Sequence, residues 1–273
     1  MYRDVPRRAF YAMMGSIWSS DRCAPTGLWW DCFGVSLSRY GPWNTGRSWD
    51  SSCHTLPREV TWNPELQQLV FSPVEEQVSL RGAVLGQLKP QELPAGAPVS
   101  LGLAKQGGGN QSEIVVVFKR PTAAAVGNGR GKATLSVTVV DNSKAVATFE
   151  VIFADAGCSA GTKGVCTVKV NGEPLKLSPN DATIDVRIFI DNVLIEGYVM
   201  GGRMAHTQAA LCGERCDITV ASDTAGVMLV SATAWAVGSP WVTPAEVLQT
   251  PRVDSGDVEL MVARIDAQQS GMQ

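Results

Sequence analysis

The side chains in this chain that could transfer protons, attack an electrophile or bind a metal are few and dispersed. There are only two histidines and seven cysteines in 273 residues. His54 directly follows Cys53, the pairing that would suit a thiol–imidazole nucleophile or two metal ligands. Neighbours on an extended chain point apart, however, and no third ligand stands at a metal-like spacing from them. His206 has no such companion. Both histidines are therefore read as structural. Glu75 and Glu76 are adjacent and, on an extended strand, would face opposite sides, so they cannot act together on one substrate. Glu59 and Glu196 each lie in a strand-like run and are read as structural, Glu59 in an ion pair or hydrogen bond and Glu196 with Arg203 or Arg187 as the expected partner. No residue is assigned as catalytic, cofactor-binding or metal-binding, and no cofactor is implied.

The cysteines offer cross-links instead. Cys158 and Cys166 flank the glycine-rich turn Gly161–Gly164, and Cys212 and Cys216 bracket Gly213-Glu214-Arg215. Each pair can be a small disulfide loop or two buried thiols behaving as small apolar groups. The odd number of cysteines leaves one thiol unpaired in a monomer. Asn110-Gln111-Ser112 has the glycosylation-acceptor pattern in a glycine-rich loop. These features favour a secreted or vacuolar origin, although the first eight residues, Met-Tyr-Arg-Asp-Val-Pro-Arg-Arg, lack an apolar signal core.

The elements that would position these residues read as strands. Hydrophobic content is 45%, enough for a sizeable core, whereas charged content is 18% and net charge is −3. Lys and Arg are dispersed, which gives no nucleic-acid footprint, and no apolar run reaches the length of a membrane helix. Asp185–Ile190 alternates Val186, Ile188 and Ile190 with Arg187, Phe189 and Asp191 at period two. Asp191-Asn192 supplies a turn, Val193–Met200 runs back, and Gly201-Gly202 permits a tight turn before Arg203. The inward set Val186, Ile188 and Ile190 is expected to be buried. Further strand-like runs cover Val99–Leu103, Glu113–Lys119, Ala133–Val140, Ala145–Phe153, Val165–Val170, Arg203–Gln208, Asp217–Val220 and Val227–Trp235. Clusters such as Asp141-Asn142-Ser143 and Asn171-Gly172 separate them. Short strands with Gly/Asn turns and no useful helical periodicity predict an all-β, antiparallel two-sheet β-sandwich. Upstream, Val60–Trp62 and Leu69–Phe71 read as a hairpin, and Ala9–Met14 and Leu28–Phe33 as short strands. Residues 1–55 hold five of the eight tryptophans: Trp18, Trp29, Trp30, Trp43 and Trp49.

The wording of four segments is narrower than this. Leu56-Pro57-Arg58-Glu59, then Ser72-Pro73-Val74-Glu75-Glu76 with Leu80-Arg81, then the 185–203 hairpin ending in Glu196, Tyr198 and Gly201-Gly202-Arg203, and finally Ala232-Thr233-Ala234-Trp235 occur in that order. Together they resemble the C-terminal part of glycoside hydrolase family 32, the invertases and fructan β-fructosidases. One departure is Val193, where the family pattern has serine. The resemblance implies a remnant of about one blade of a five-bladed β-propeller over residues 1–81, a linker over 82–98, the β-sandwich over 99–250 and a polar tail over 251–273. It implies hydrolysis of β-fructosyl bonds in sucrose or fructan by the complete enzyme, without metal or organic cofactor, and a possible homodimer through the sandwich.

Such a retaining reaction needs two carboxylates about 5 Å apart, one nucleophile and one acid/base. The family carries its nucleophile in N-D-P-N-G and its acid/base in E-C, and neither motif occurs here. Arg3-Asp4-Val5 approximates the family's R-D-P, but it lies only about fifty residues before Leu56. Propeller blades take roughly 40–50 residues each, which is too little room for the blade that carries that triplet. Asp4 is therefore set aside, and the chain alone is expected to be inactive. The N-terminal tryptophans are read as packing between propeller strands, with stacking on sugar rings as the alternative. Residues 1–80 are expected to be less ordered than the sandwich. A second reading of the whole chain is a stand-alone carbohydrate-binding or interaction β-sandwich module.

Overall fold

The structure is a computed structural model of the chain; it describes residues 10–12, 55–128, 131–192, 194–213 and 215–238. The expected strands at Leu28–Phe33, the five N-terminal tryptophans, Asp4, Cys53, His54 and the polar tail lie outside these residues. Within them the protein is all-β, with sixteen strands and one short helix, α1 (Ala123–Asn128). Every pairing between named strands is antiparallel.

Three sheets form. The first joins β1 (Phe10–Ala12), β2 (Arg58–Asn63) and β3 (Gln68–Pro73). The chain then contributes β4 (Arg81–Leu88), β5 (Gln91–Glu92), β6 (Val99–Ser100), β7 (Gln111–Lys119), β8 (Ala133–Asp141), β9 (Lys144–Phe153), β10 (Cys166–Val170) and β11 (Glu173–Leu177). It continues with β12 (Thr183–Asp191), β13 (Leu194–Val199), β14 (Met204–Ala209), β15 (Cys216–Ser222) and β16 (Met228–Val237). One large sheet has the order β11-β10-β9-β8-β15-β6; the other has β14-β13-β12-β7-β16-β4, with β5 paired to β16.

The two large sheets bury a common core because their facing positions alternate at period two. Ile114, Val116 and Phe118 of β7 and Val186 and Ile188 of β12 face Leu135, Val137 and Val139 of β8 and Phe149, Val151 and Phe153 of β9, all 0–1% exposed. Ile190 completes the expected inward set. Two hairpins are closed by two-residue turns in which both residues take positive φ: Asn142 and Ser143 between Asp141 and Lys144, and Asn171 and Gly172 between Val170 and Glu173. That is the turn geometry whose twist matches the flanking strands. In the β12–β13 hairpin Asp191 is the last paired residue, opposite Leu194, and Asn192 takes the left-handed φ of 49°.

Three local outcomes differ from the sequence reading. Residues 82–98, whose glycines and prolines suggest a connector, carry β4 and β5, both hydrogen-bonded to β16. Gly86 lies in β4 where a Cβ would sit 2.6 Å from the carbonyl oxygen of Leu101, so the glycine marks a close backbone approach. Strand β11 contains Pro174 and was not anticipated; it forms at the edge of its sheet, where a missing N–H is tolerated. Glu75 and Glu76 lie in a 3₁₀ turn (Glu75–Leu80) and not on an extended strand.

Strand β13 is buried at all six positions. An edge-proximal strand of a two-layer sandwich should bury only alternate residues. The reason is a third layer: the β2–β3 hairpin lies against the outer side of β13 and the turn that follows it.

Candidate functional site

That third layer is where the polar side chains converge. Glu196 and Tyr198 of β13 point away from the core, by the same alternation that turns Ile195 and Val199 inward. Arg58, at the start of β2, meets them. Its Nη2 donates to Glu196 Oε2 at 2.7 Å and to Thr207 Oγ1 at 3.0 Å, and its Nε donates to the Tyr198 hydroxyl at 2.9 Å. The Tyr198 hydroxyl in turn donates to Glu196 Oε2 at 2.9 Å, while Glu196 Oε1 accepts the backbone N–H of Leu56 at 2.8 Å. The Arg58 and Glu196 side chains are 6% and 3% exposed. Phe189 packs edge-on against Tyr198, with ring centroids 5.9 Å apart, and so is buried although it faces away from the core.

Burial alone would lower the Arg58 pKa, but Tyr198 and Glu196 outweigh it and hold the guanidinium above its ordinary value. Burial and the Glu196 carboxylate push the Tyr198 phenol far above its usual range. Arg58 therefore remains a cation and Tyr198 a neutral phenol throughout the physiological pH range. Their hydrogen bonds join Arg58, Glu196, Tyr198 and Thr207 into one buried network.

A second set of contacts surrounds it. Gly202 takes a φ of 98°, and a Cβ there would lie 2.3 Å from the Phe71 carbonyl oxygen, so glycine is required both for the turn and for the approach of β3. The Ser72 hydroxyl donates to the Gly201 carbonyl at 2.6 Å. Arg203 leaves the turn toward the 178–181 loop and donates to Asp181 Oδ1 at 2.9 Å and Oδ2 at 2.5 Å. Burial would raise the Asp181 pKa, but Arg203 and the Ser178 N–H together bring it below the ordinary value. From the same region Lys176 Nζ donates to the Leu66 carbonyl at 2.7 Å, and the Ser178 hydroxyl donates to Glu65 Oε1 at 2.6 Å.

Glu196 pairs with Arg58 and not with Arg203 or Arg187. Arg203 serves Asp181, and Arg187 serves Glu113. Glu59 is half-buried in β2 opposite Ser72, and Glu75 and Glu76 are exposed, so the three do not converge. His206 lies on β14 with its Nε2 3.2 Å from Gln208 Oε1 and its ring edge-on to Phe149. Among the described residues no group of histidines, cysteines and carboxylates could hold a metal ion, and no helix is long and apolar enough to cross a membrane.

Sequence reasoning missed Glu113, which is fully buried between Arg81 Nη2 at 2.5 Å and Arg187 Nε at 2.7 Å. Arg81 stacks over Trp235 and Arg187 over Phe189. Both cysteine pairs are disulfides, Cys158–Cys166 and Cys212–Cys216. Asn110 of the acceptor triplet donates its side-chain amide to Asn192 Oδ1 at 3.3 Å, and Ser112 is buried with its hydroxyl on the Gly109 carbonyl.

No protein-family model matches the chain, and no curated protein does. Solved structures similar to it include fructan 1-exohydrolase IIa from Cichorium intybus, 16% identical, with a TM-score of 0.44, covering 68% of this chain and 41% of the other. A β-fructofuranosidase from Schwanniomyces occidentalis complexed with fructosyl-erythritol is 17% identical, with a TM-score of 0.43 and coverage of 69% and 41%. A sucrose-6-phosphate hydrolase from Lactobacillus gasseri is 19% identical, with a TM-score of 0.41 and coverage of 69% and 34%. The present chain thus spans only 34–41% of the length of these three structures.

Proposed function

We propose that this chain corresponds to the C-terminal portion of a β-fructofuranosidase-type glycoside hydrolase of family 32, and that its role is to support a catalytic domain. In this reading the residues before Arg81 correspond to the end of the propeller, and the sandwich begins with β4 at Arg81. Sucrose or fructan is the substrate of the complete enzyme, and dimerisation through the sandwich is an added expectation. The observation that carries the reading is the Arg58–Glu196 contact. Leu56-Pro57-Arg58-Glu59 and the Glu196-to-Arg203 segment lie about 140 residues apart in the sequence, and Arg58 and Glu196 meet as one buried unit. Gly202 against Phe71, beside Ser72-Pro73, joins a third of the four segments to the same seam.

A chain with this seam holds a preceding β-domain against the sandwich; it does not itself supply a nucleophile and a proton donor. Function resides in such a site and not in the fold, and loss of groups that act together removes several orders of magnitude of rate. Purified chain at micromolar concentration should release no measurable fructose from sucrose, inulin or levan. Saturable binding of these sugars without release would favour the stand-alone carbohydrate-binding module. Turnover abolished by replacing Asp4, Glu59 or Glu75 would overturn the proposal.

A further inference from the structure

The two disulfides differ in their surroundings. Cys212 and Cys216 are 1% and 0% exposed, so neither sulfur faces solvent. Cys158 is 5% exposed, but Cys166 is only half-buried at the start of β10, beside Val165, which is 47% exposed. Against Cys166 lies Arg120, itself 1% exposed. Arg120 donates from Nε to the Cys158 carbonyl at 2.8 Å and from Nη1 to the carbonyls of Ser178 at 2.9 Å and Asp181 at 3.2 Å. From Nη2 it donates to Cys166 Sγ at 3.2 Å.

Every oxygen in this set is a neutral carbonyl. Asp181, whose charge favours the cation from a distance, gives its carboxylate to Arg203, and among the described residues no carboxylate lies within ion-pair distance of Arg120. Desolvation accordingly lowers the Arg120 pKa. A buried cation without a facing anion is unfavourable. Its fourth partner is a sulfur, neutral as a disulfide and anionic as a thiolate. The other charged side chains nearby are Asp155, which accepts the Gly157 N–H, Lys163 in the loop, and Lys176, held on Leu66.

We propose that Cys158–Cys166 is a thiol–disulfide exchange site for dithiol reductants, with Arg120 as the residue that holds the released Cys166 thiolate. One thiolate of the dithiol attacks Cys166 Sγ, the accessible sulfur; the bond to Cys158 breaks, and Cys158 leaves as a thiolate that takes a proton from water. The second thiol of the reagent, losing its proton to water, attacks the mixed disulfide at the reagent's own sulfur and releases Cys166. The dithiol has given two electrons and leaves as a cyclic disulfide. Cys166 then provides the anion that Arg120 lacks in the oxidised protein. A nearby cation increases the thiolate fraction and favours the reduced pair.

The test uses the whole chain, titrated with dithiothreitol, quenched with iodoacetamide and mapped by peptide mass. Cys158–Cys166 should open at a reductant concentration about tenfold lower than Cys212–Cys216. In the partly reduced protein Cys166 should alkylate with a midpoint below the ordinary thiol value of about 8.5. Arg120→Met should return that midpoint to the ordinary range, with Arg120→Lys between. Simultaneous opening of both disulfides would overturn the proposal. So would an ordinary Cys166 alkylation profile in the unmodified protein, a result that stands even if the Arg120 variants fail to fold.

Discussion

Replacing Glu196 with glutamine is the sharpest perturbation of the seam, because it changes charge and almost nothing in volume. Glu196 now accepts three hydrogen bonds: Oε1 from Leu56 N–H, and Oε2 from Arg58 Nη2 and from Tyr198. Glutamine has one carbonyl oxygen and one NH₂. If the oxygen faces Leu56, the NH₂ meets two donors; if it faces Arg58 and Tyr198, the NH₂ meets the Leu56 N–H. Either orientation leaves donors opposed at a site where Arg58 and Glu196 are 6% and 3% exposed. Removing one partner of a buried ion pair costs about 3–5 kcal/mol, chiefly because the other charge stays buried and unpaired. That is a large share of the roughly 5–15 kcal/mol by which whole domains are stable.

The loss should fall first on the hairpin. A hairpin such as β2–β3 is marginal by itself, whereas the sandwich has its own core. Urea unfolding followed by hydrogen exchange separates the two. Amides of β2 and β3 should exchange faster by a factor on the order of 10²–10³, the equivalent of about 3–4 kcal/mol, while those of Ile114, Val116 and Phe118 in β7 change little. The combined variant Arg58→Met, Glu196→Leu, Tyr198→Phe removes the charges and the side-chain donors together, leaving only the Leu56 N–H without its acceptor, and should recover much of the loss. A Glu196→Gln effect under about 1 kcal/mol, the range of an exposed pair, would refute the claim that this contact seats the hairpin.

Ile188→Ala should destabilise the protein by about 2–5 kcal/mol in urea melts, since Ile188 is fully buried between the large sheets. Gly202→Ala should weaken hairpin docking by more than the ordinary glycine-to-alanine difference of about 1 kcal/mol, because the new Cβ meets the Phe71 carbonyl; limited proteolysis near residues 74–80 would report it. Asp185 is raised above its ordinary pKa, first by burial, with the Gly201 N–H as partial compensation. A carboxyl raised on folding contributes stability that is full below its unfolded pKa of about 3.8 and lost as pH rises through the higher folded value. Asp185→Asn should therefore remove a loss of stability that the unmodified protein shows as pH climbs from 3.8, read as a flatter melting-temperature profile.

The parts of the fold that follow from local rules were legible in the sequence. The alternation of Val186, Ile188 and Ile190 names the core face of β12, and Asn171-Gly172 names a turn whose two positive φ angles follow from residue type. Partner choice was not legible. Arg203 and Arg187 are the arginines close to Glu196 in sequence, but register places Phe189 opposite Glu196 and Tyr198 opposite Arg187. Arg187 then reaches across to Glu113 on β7, and the turn directs Arg203 toward Asp181. The true partner, Arg58, arrives from a separate sheet, a non-local pairing that no periodicity encodes. Residues 82–98 misled for a related reason: glycine there serves close packing, as at Gly86 beneath Leu101, and not chain flexibility.

The polar character of the seam also constrains what it does. Glu196, Tyr198 and Thr207 are 0–3% exposed and occupy the outer side of the sheet, where apolar residues would have given adhesion without register. A shift of β2 by one residue would replace Arg58 with Pro57 or Glu59. It would leave Glu196 facing no cation or a second carboxylate, and it would reverse every side chain of the strand. Gly202 adds a steric condition, since only one placement of β3 brings the Phe71 carbonyl over a residue without a Cβ. Charge and shape therefore select the same placement of the hairpin.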